Sequence, residues 1–257
     1  MLIGLLTNPS NDLIEEINLI NRLGFDFVEI GMEEPKAKYD QIDIRSVRDA
    51  LSIFDNKAIV HTPPWIDFAS VYDKVREAWI DEFKGFIDIT NRLELDLINI
   101  HATAHGLFNN ARKIVLDNII NSINSVSNYA DSLGIDIMLE NMPKSKSVHL
   151  LDEFRYIMNN TSIYLHLDIG HAFTSNGMNA ILSYINEFKD KIKHIHWHDN
   201  HGIYDEHLPL GSGNIDHRRV AEALRKINYD NTITLEVFTS REDAKVSAER
   251  LLRYLSV

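Results

Sequence analysis

The stretch from His194 to Asp216 reads HIHWHDNHGIYDEHLPLGSGNID and places five histidines, His194, His196, His198, His201 and His207, within fourteen positions. Neutral imidazole is the commonest protein ligand for zinc and its neighbours, so the run raises the chemistry of a metal centre. A polar surface loop that happens to be rich in histidine is the plainer account. Carboxylates elsewhere in the chain weigh between the two. Glu140 closes the run IDIMLE, Asp168 lies at the end of IYLHLD, and Glu236 follows the β-branched and apolar residues 232–235. An unpaired carboxylate on a buried strand costs on the order of several kcal/mol. Such groups meeting at one place repel each other unless a cation lies between them. His61 and His101 end two further runs, KAIVH and DLINIH. The chain has no cysteine, so a metal would have to be held by His, Asp and Glu.

Bringing these residues together requires a particular architecture. Eight short apolar or β-branched runs recur, at 2–7, 25–31, 57–62, 96–102, 135–141, 163–170, 192–199 and 232–238. Runs of this kind are what buried parallel strands look like. Amphipathic segments separate them. Leu13, Ile17 and Ile20 share one face of 11–23, with Asn11 or Asp12 as cap and Gly24 as stop. Val115, Ile119, Val126 and Ala130 do the same within 111–133, ahead of Gly134, and Ser240 opens a last helix over 240–256. With no composition break or linker, residues 1–257 read as one domain, an α/β fold of the (β/α)8 TIM-barrel type. A doubly wound open sheet fits less well, because no glycine-rich phosphate loop follows the first strand.

Chemistry in such a barrel sits at the C-terminal strand ends. Six of the eight predicted strands carry a potential ligand there: His61, His101, Glu140, Asp168, His196 and Glu236. His194, His196 and His198 alternate, so they point to one side of their strand. If that side is the interior, His196 lies near the mouth, His198 at the rim and His194 one layer deeper. These two neighbours and His166 are expected to be supporting or packing groups. His105, His149, His201 and His217 read as ordinary loop or helix-start residues.

The global composition bounds the partners. Lys and Arg number 26 against 38 Asp and Glu, a net charge of −12, which argues against a broad nucleic-acid footprint. The opening MLIGLLTNPS has no basic region and too short an apolar run for a signal peptide, and no stretch reaches membrane-spanning length. A cytoplasmic protein without membrane partners is expected, and assembly into a homo-oligomer is left open.

In order, the chain carries VHTPP, NIHA, LENMP, LDIGHAF, HIHWHDN, DEHLPLGSGNID and TLEVF. On these motifs it resembles, over essentially its whole length, the xylose isomerase-like barrel superfamily, which holds sugar and sugar-phosphate isomerases and epimerases together with the DNA-repair endonuclease IV family. The isomerase branch implies one divalent metal held by Glu140, Asp168, His196 and Glu236. The endonuclease branch implies three zinc ions: His61 and His101 join Glu140 at one, Glu140, Asp168, His196 and Glu236 hold the second, and His171, Asp205 and His207 hold the third. All nine positions carry a suitable residue here, so ligand identity does not separate the branches. Two departures favour the isomerase side. NMPKSKS follows Glu140 where the endonuclease pattern has a glycine-containing turn, and GMEEPKAKYDQID brings Glu33 and Glu34 to a loop that would face DNA phosphates.

The resemblance and the residue types together imply an enzyme that isomerises or epimerises a small sugar or sugar phosphate with one to three divalent ions (Zn, Mn, Mg or Co). A cation on the carbonyl and hydroxyl oxygens acidifies the adjacent C–H and stabilises the enediolate, while Glu140 and Glu236 act as acid and base. His101, His171 and His207 are candidate substrate contacts, Asp205 would help orient hydroxyls, and Trp65 is either a pocket wall or plain loop packing. An endonuclease IV-like enzyme cutting DNA at abasic sites is the alternative, and a barrel that only binds a metal or a sugar is a third reading. The GSGN loop at 211–214 could cradle a phosphate or merely turn the chain.

Overall fold

The computed structural model describes residues 1–104, 112–144 and 148–256, so His105 and the SKS of NMPKSKS lie outside the described residues. Its eight strands are β1 (Leu2–Leu6), β2 (Phe27–Gly31), β3 (Ala58–His61), β4 (Leu97–His101), β5 (Asp136–Glu140), β6 (Tyr164–Asp168), β7 (Ile192–Trp197) and β8 (Thr232–Leu235). They pair in chain order, all parallel, and β8 returns to β1 to close the barrel. The helices around it are α1 (Leu13–Leu23), α2 (Ile44–Leu51), α3 (Asp73–Arg92), α4 (Arg112–Ser132), α5 (Leu151–Asn159), α6 (Ile169–Glu187), α7 (His217–Lys226) and α8 (Arg241–Leu255). No described helix is long and apolar enough to cross a membrane.

Local chemistry sets the boundaries. Asp12 caps α1 by accepting from the Glu15 N–H, and Gly24 ends it in the left-handed region at φ 86°. Ser240 caps α8 in the same way through the Asp243 N–H. The run at 163–170 is shorter as a strand than its composition implies. Asp168 turns into the N-cap of α6, accepting from the His171 N–H, so Ile169 and Gly170 are already helical. Glu236 likewise sits one residue past β8.

Two distinct interiors follow from the alternation of strand side chains. Residues such as Val28, Ile30, Val60, Ile98, Leu139, Leu165 and Ile233 point outward and pack into one continuous apolar core beneath the helices. Inside the barrel the apolar part is confined to a floor of Phe27, Ile59 and Met138, with Leu2, Leu97 and Tyr164 around it. Above that floor the inward positions are polar: Glu29, Asn99, His166 and His194, then His61, His101, Glu140, Asp168 and His196. The register aligns them in tiers, with His101 opposite Glu140, His166 opposite His194 and Asp168 opposite His196.

The floor depends on a missing side chain. A Cβ on Gly4 would lie 2.4–2.6 Å from the Phe27 ring, which is itself fully buried. Gly4→Ala is therefore expected to destabilise the chain by about 1–3 kcal/mol through overpacking, read as a lower denaturant midpoint with unchanged slope.

Candidate active site

The polar tiers open into a cavity of about 640 Å³ at the C-terminal end of the barrel. At its base, three carboxylates converge on one nitrogen. His196 Nδ1 lies 3.1 Å from Glu236 Oε2, 3.7 Å from Glu140 Oε1 and 3.7 Å from Asp168 Oδ2. The excess negative charge holds His196 well above the ordinary imidazole range: burial opposes this, but Glu236, Glu29 and Glu140 outweigh it. The carboxylates respond in turn. Burial raises Glu236, yet His196 and His207 bring it down to about 2, and His101, His166 and His196 hold Glu140 well below its usual value against burial.

Two side chains fix the carboxylates in place. Asn99 donates to Glu140 Oε2 at 2.9 Å and accepts from the Thr62 N–H at 2.7 Å. Asn141 exchanges a pair of bonds with the backbone of Asp168, donating to its carbonyl at 2.8 Å and accepting from its N–H at 2.9 Å. Yet His196 Nδ1 and Asp168 Oδ2 are buried without a hydrogen-bond partner among the described residues. Buried polar atoms left unpaired at the focus of three carboxylates are what a divalent cation would satisfy. Glu140, Asp168, His196 and Glu236 thus fit such an ion as a set of three O donors and one N donor.

The remaining predicted residues fall into two neighbouring groups. His61 Nε2 and His101 Nε2 approach Glu140 Oε2 at 3.6 and 3.2 Å. Further out, Asp205 Oδ2 lies 3.0 Å from His171 Nε2 and 3.3 Å from His207 Nε2. Burial lowers His171, but Asp168 and Asp205 raise it to about 10. His207 adopts a left-handed backbone at φ 49°, and its Nδ1 lies 3.1 Å from the Glu236 carbonyl oxygen.

Several groups that matter here were not among the predicted site residues. His198, at the rim, is fully buried and points its Nε2 between Asp168 Oδ1 (3.4 Å) and Asp205 Oδ1 (3.5 Å). Gly170 makes room for it, since a Cβ there would come within 2.0 Å of the ring. Glu29 lies one tier below the mouth, and Glu33 lines the cavity with Oε1 4.0 Å from His61 Nδ1. The aromatic wall is Phe238, stacked on His207 with ring centroids 4.3 Å apart. Trp65, read as either a pocket wall or plain loop packing, is 46% exposed and lies outside the cavity lining, whereas its neighbour Pro64 is part of it.

The GSGN loop is already occupied. Asp199 accepts from the N–H groups of Gly211 and Gly213 at 2.9 and 2.8 Å, and from Ile215 at 3.2 Å. His217 completes this buried knot, 3.0 Å from Asp199 and accepting from the Trp197 indole at 2.9 Å. The loop turns the chain around a carboxylate of its own and leaves those donors unavailable to a phosphate.

Residues 17–255 match the family described as the xylose isomerase-like TIM barrel. The chain belongs to this family. A solved D-tagatose 3-epimerase-like protein shares 27% identity and superposes with a TM-score of 0.88, covering 100% of this chain and 97% of that one. An L-ribulose 3-epimerase from Methylomonas sp. is 27% identical over 244 residues, 88% of this chain and 79% of its own. An uncharacterized protein from Methanocaldococcus jannaschii is 29% identical over 222 residues, 84% of this chain and 75% of its own. The matched residues 17–255 take in β2 to α8 and every candidate ligand named above.

A cation entering the base of this cavity competes with the proton on His196. Because that imidazole is held above neutrality, adding Mn²⁺ to chelator-treated protein at pH 7 should release about one proton per ion. The apparent affinity should then fall by up to about tenfold per unit as pH drops. Calorimetry in buffers of differing ionisation enthalpy measures both, and binding without proton release would count against His196 as a ligand.

Proposed function

We propose that the chain is a divalent-cation-dependent sugar epimerase or isomerase acting on the carbon beside the carbonyl of a small ketose. The observation that carries this reading is the convergence of Glu140, Asp168 and Glu236 on His196 Nδ1 at the base of a sugar-sized cavity. The naming of relatives as ketose 3-epimerases supports the same reaction class. When bound, the cation would supply Lewis-acid polarisation of the carbonyl and charge stabilisation of the enediolate.

The chain's own residues do the rest. Glu140 and Glu236 come from β5 and from the end of β8, so they reach the cavity from different walls. Both are ionised at neutral pH and fit to accept a proton. For inversion, one accepts the proton from the carbon on its face, and the other relays to the opposite face a proton taken from the imidazolium beside it, His171 for Glu140 or His207 for Glu236. His171 and His207, braced by Asp205, present imidazole edges to substrate hydroxyls, and Phe238 covers an apolar face. A free sugar is the better match than a sugar phosphate. Arg241 is the only Lys or Arg among the described lining residues, and it is already paired with Glu16 and the Leu6 carbonyl.

A second reading draws on the two outer groups. His61, His101 and Glu140 form one potential ligand set, and His171, His198, Asp205 and His207 form another. With ions in both, the centre would suit phosphodiester hydrolysis at abasic DNA sites. Glu33 in the cavity wall and the net charge of −12 oppose a DNA phosphate there.

Glu140→Gln and Glu236→Gln should each lower kcat by about 10²–10⁴-fold and weaken cation binding. Turnover in deuterated water should place solvent deuterium beside the carbonyl, with interconversion of the sugars scored alongside it. Asp168→Ala that lost the ion but kept turnover would overturn the assignment.

His207→Ala separates the two readings. It should impair turnover while leaving the number of bound ions per chain unchanged. Loss of one ion per chain, together with metal-dependent incision of a duplex carrying an abasic site, would instead favour the multinuclear nuclease.

A further inference from the structure

Beneath the candidate cation centre lies a carboxylate with no role in the reaction just described. Glu29 sits mid-strand on β2, is fully buried, and reaches across the barrel to two histidines of β7. Its Oε2 lies 2.9 Å from His196 Nε2 and 3.1 Å from His194 Nε2. An ionised carboxylate has no proton to give, so both Nε2 atoms must donate to it. His194 Nδ1 in turn lies 2.7 Å from Thr232 Oγ1, a hydroxyl able to donate to it. The chain Thr232–His194–Glu29–His196 therefore runs from β8 through the barrel interior to the base of the cavity.

We infer that Glu29 is the positioning residue of the cation centre: it fixes His196 with Nε2 protonated and so turns the Nδ1 lone pair toward Glu140, Asp168 and Glu236. This inference rests on the cation centre proposed above. A ring held through one nitrogen presents the other in a defined direction, and carboxylate partners of ligating histidines also raise their basicity. The second imidazole matters as well. His194 shares the charge of Glu29, so the carboxylate stays ionised in an interior where a lone charge would be costly. A deeper cation held by Glu29, His166, His194 and His196 is the competing arrangement, because Glu29 Oε1 and both ring nitrogens of His166 have no hydrogen-bond partner among the described residues. It would need lone pairs on the two Nε2 atoms, and their approach to a single carboxylate oxygen calls for protons there.

The test compares Glu29→Gln with His194→Gln in the full chain, stripped with chelator and titrated with Mn²⁺. Glutamine is isosteric and its one oxygen can still accept from both Nε2–H groups, but it is neutral, so His196 loses the charge that holds its Nε2 proton and raises the basicity of Nδ1. Glu29→Gln should weaken Mn²⁺ by about 10–100-fold with unchanged stoichiometry, and excess Mn²⁺ should restore most of the turnover. His194→Gln keeps an N–H donor for Glu29 and leaves Glu29 and His196 paired, so it should weaken Mn²⁺ much less than Glu29→Gln. Melting temperatures in chelator check that both variants fold. Unchanged affinity in Glu29→Gln, or equal weakening in both variants, would overturn the inference while leaving the cation centre standing. Loss of one of two bound ions in Glu29→Gln would overturn it in favour of the deeper site. A parent chain that binds no Mn²⁺ at all would remove the centre itself, and the inference with it.

Discussion

Ionised carboxylates are expensive to bury, on the order of several kcal/mol each even after the protein relaxes around them. This barrel buries four in its interior: Glu29, Glu140, Asp168 and Glu236. Much of its architecture can be understood as the means of tolerating that. Period-two alternation sends apolar residues outward to the helices, where one continuous core supplies the stability, and leaves the inward positions free for polar groups. The imidazoles of His194, His196, His101 and His166 then stand within hydrogen-bond or ion-pair reach of the carboxylates. The apolar floor of Phe27, Ile59 and Met138 closes the opposite end. The site is thus part of the barrel's own packing, built at the strand ends, with His171 added from the first turn of α6 and Asp205 and His207 from the loop after β7.

Glu140 is where the groups join. One oxygen takes the Asn99 amide and lies near His61, His101 and His166, while the other faces His196 and His171. The next residue, Asn141, ties Asp168 to the same strand end, and its carbonyl lies 2.8 Å from His171 Nδ1. A displacement at the end of β5 would therefore be felt in every ligand group at once. Sharing of this kind also limits how positive charge can be distributed. The two oxygens of Glu140 already serve five imidazoles and one amide, so ions on both sides would each displace protons that those imidazoles now hold in place.

The period of the chain made the barrel legible. Eight apolar runs at regular spacing, capped segments between them and no linker leave few other folds, and the ligand-type residues at the strand ends were visible because each interrupts an apolar run. What escaped was set by register rather than composition. Glu29 is mid-strand in FDFVEIG, away from the strand ends where ligands of such barrels lie, although an acidic residue inside such a run signals an inward-facing partner. His198 looked like a neighbour of a ligand until the Gly170 gap placed its ring between two carboxylates. For Trp65, which follows HTPP, no periodicity fixes which way a loop residue faces, so pocket wall and loop packing stay equally open in the sequence. The GSGN loop carried a phosphate-like signature, and only the position of Asp199 twelve residues before Gly211 revealed what its N–H groups bind.

Charge also bears on the substrate proposed for the cavity. Glu16, Glu33, Glu140, Asp205 and Glu236 all line it, against the single guanidinium of Arg241 among the described residues. At a separation of about 6 Å and an effective dielectric near ~20, each pair of like unit charges costs about 3 kcal/mol. One divalent ion offsets two of these carboxylates and the raised imidazole of His171 a third, but no unpaired Lys or Arg among the described lining residues is left to receive a phosphate dianion. Sugar hydroxyls face no such penalty, because each can donate to a carboxylate and accept from an imidazole N–H. Glu33 illustrates the point: burial raises its carboxyl pKa, with Glu236 adding to the rise and His61 opposing it. A carboxyl held above its usual range can take up a proton and donate it to a substrate oxygen, so Glu33 adds less to the repulsion than the fully ionised carboxylates around it.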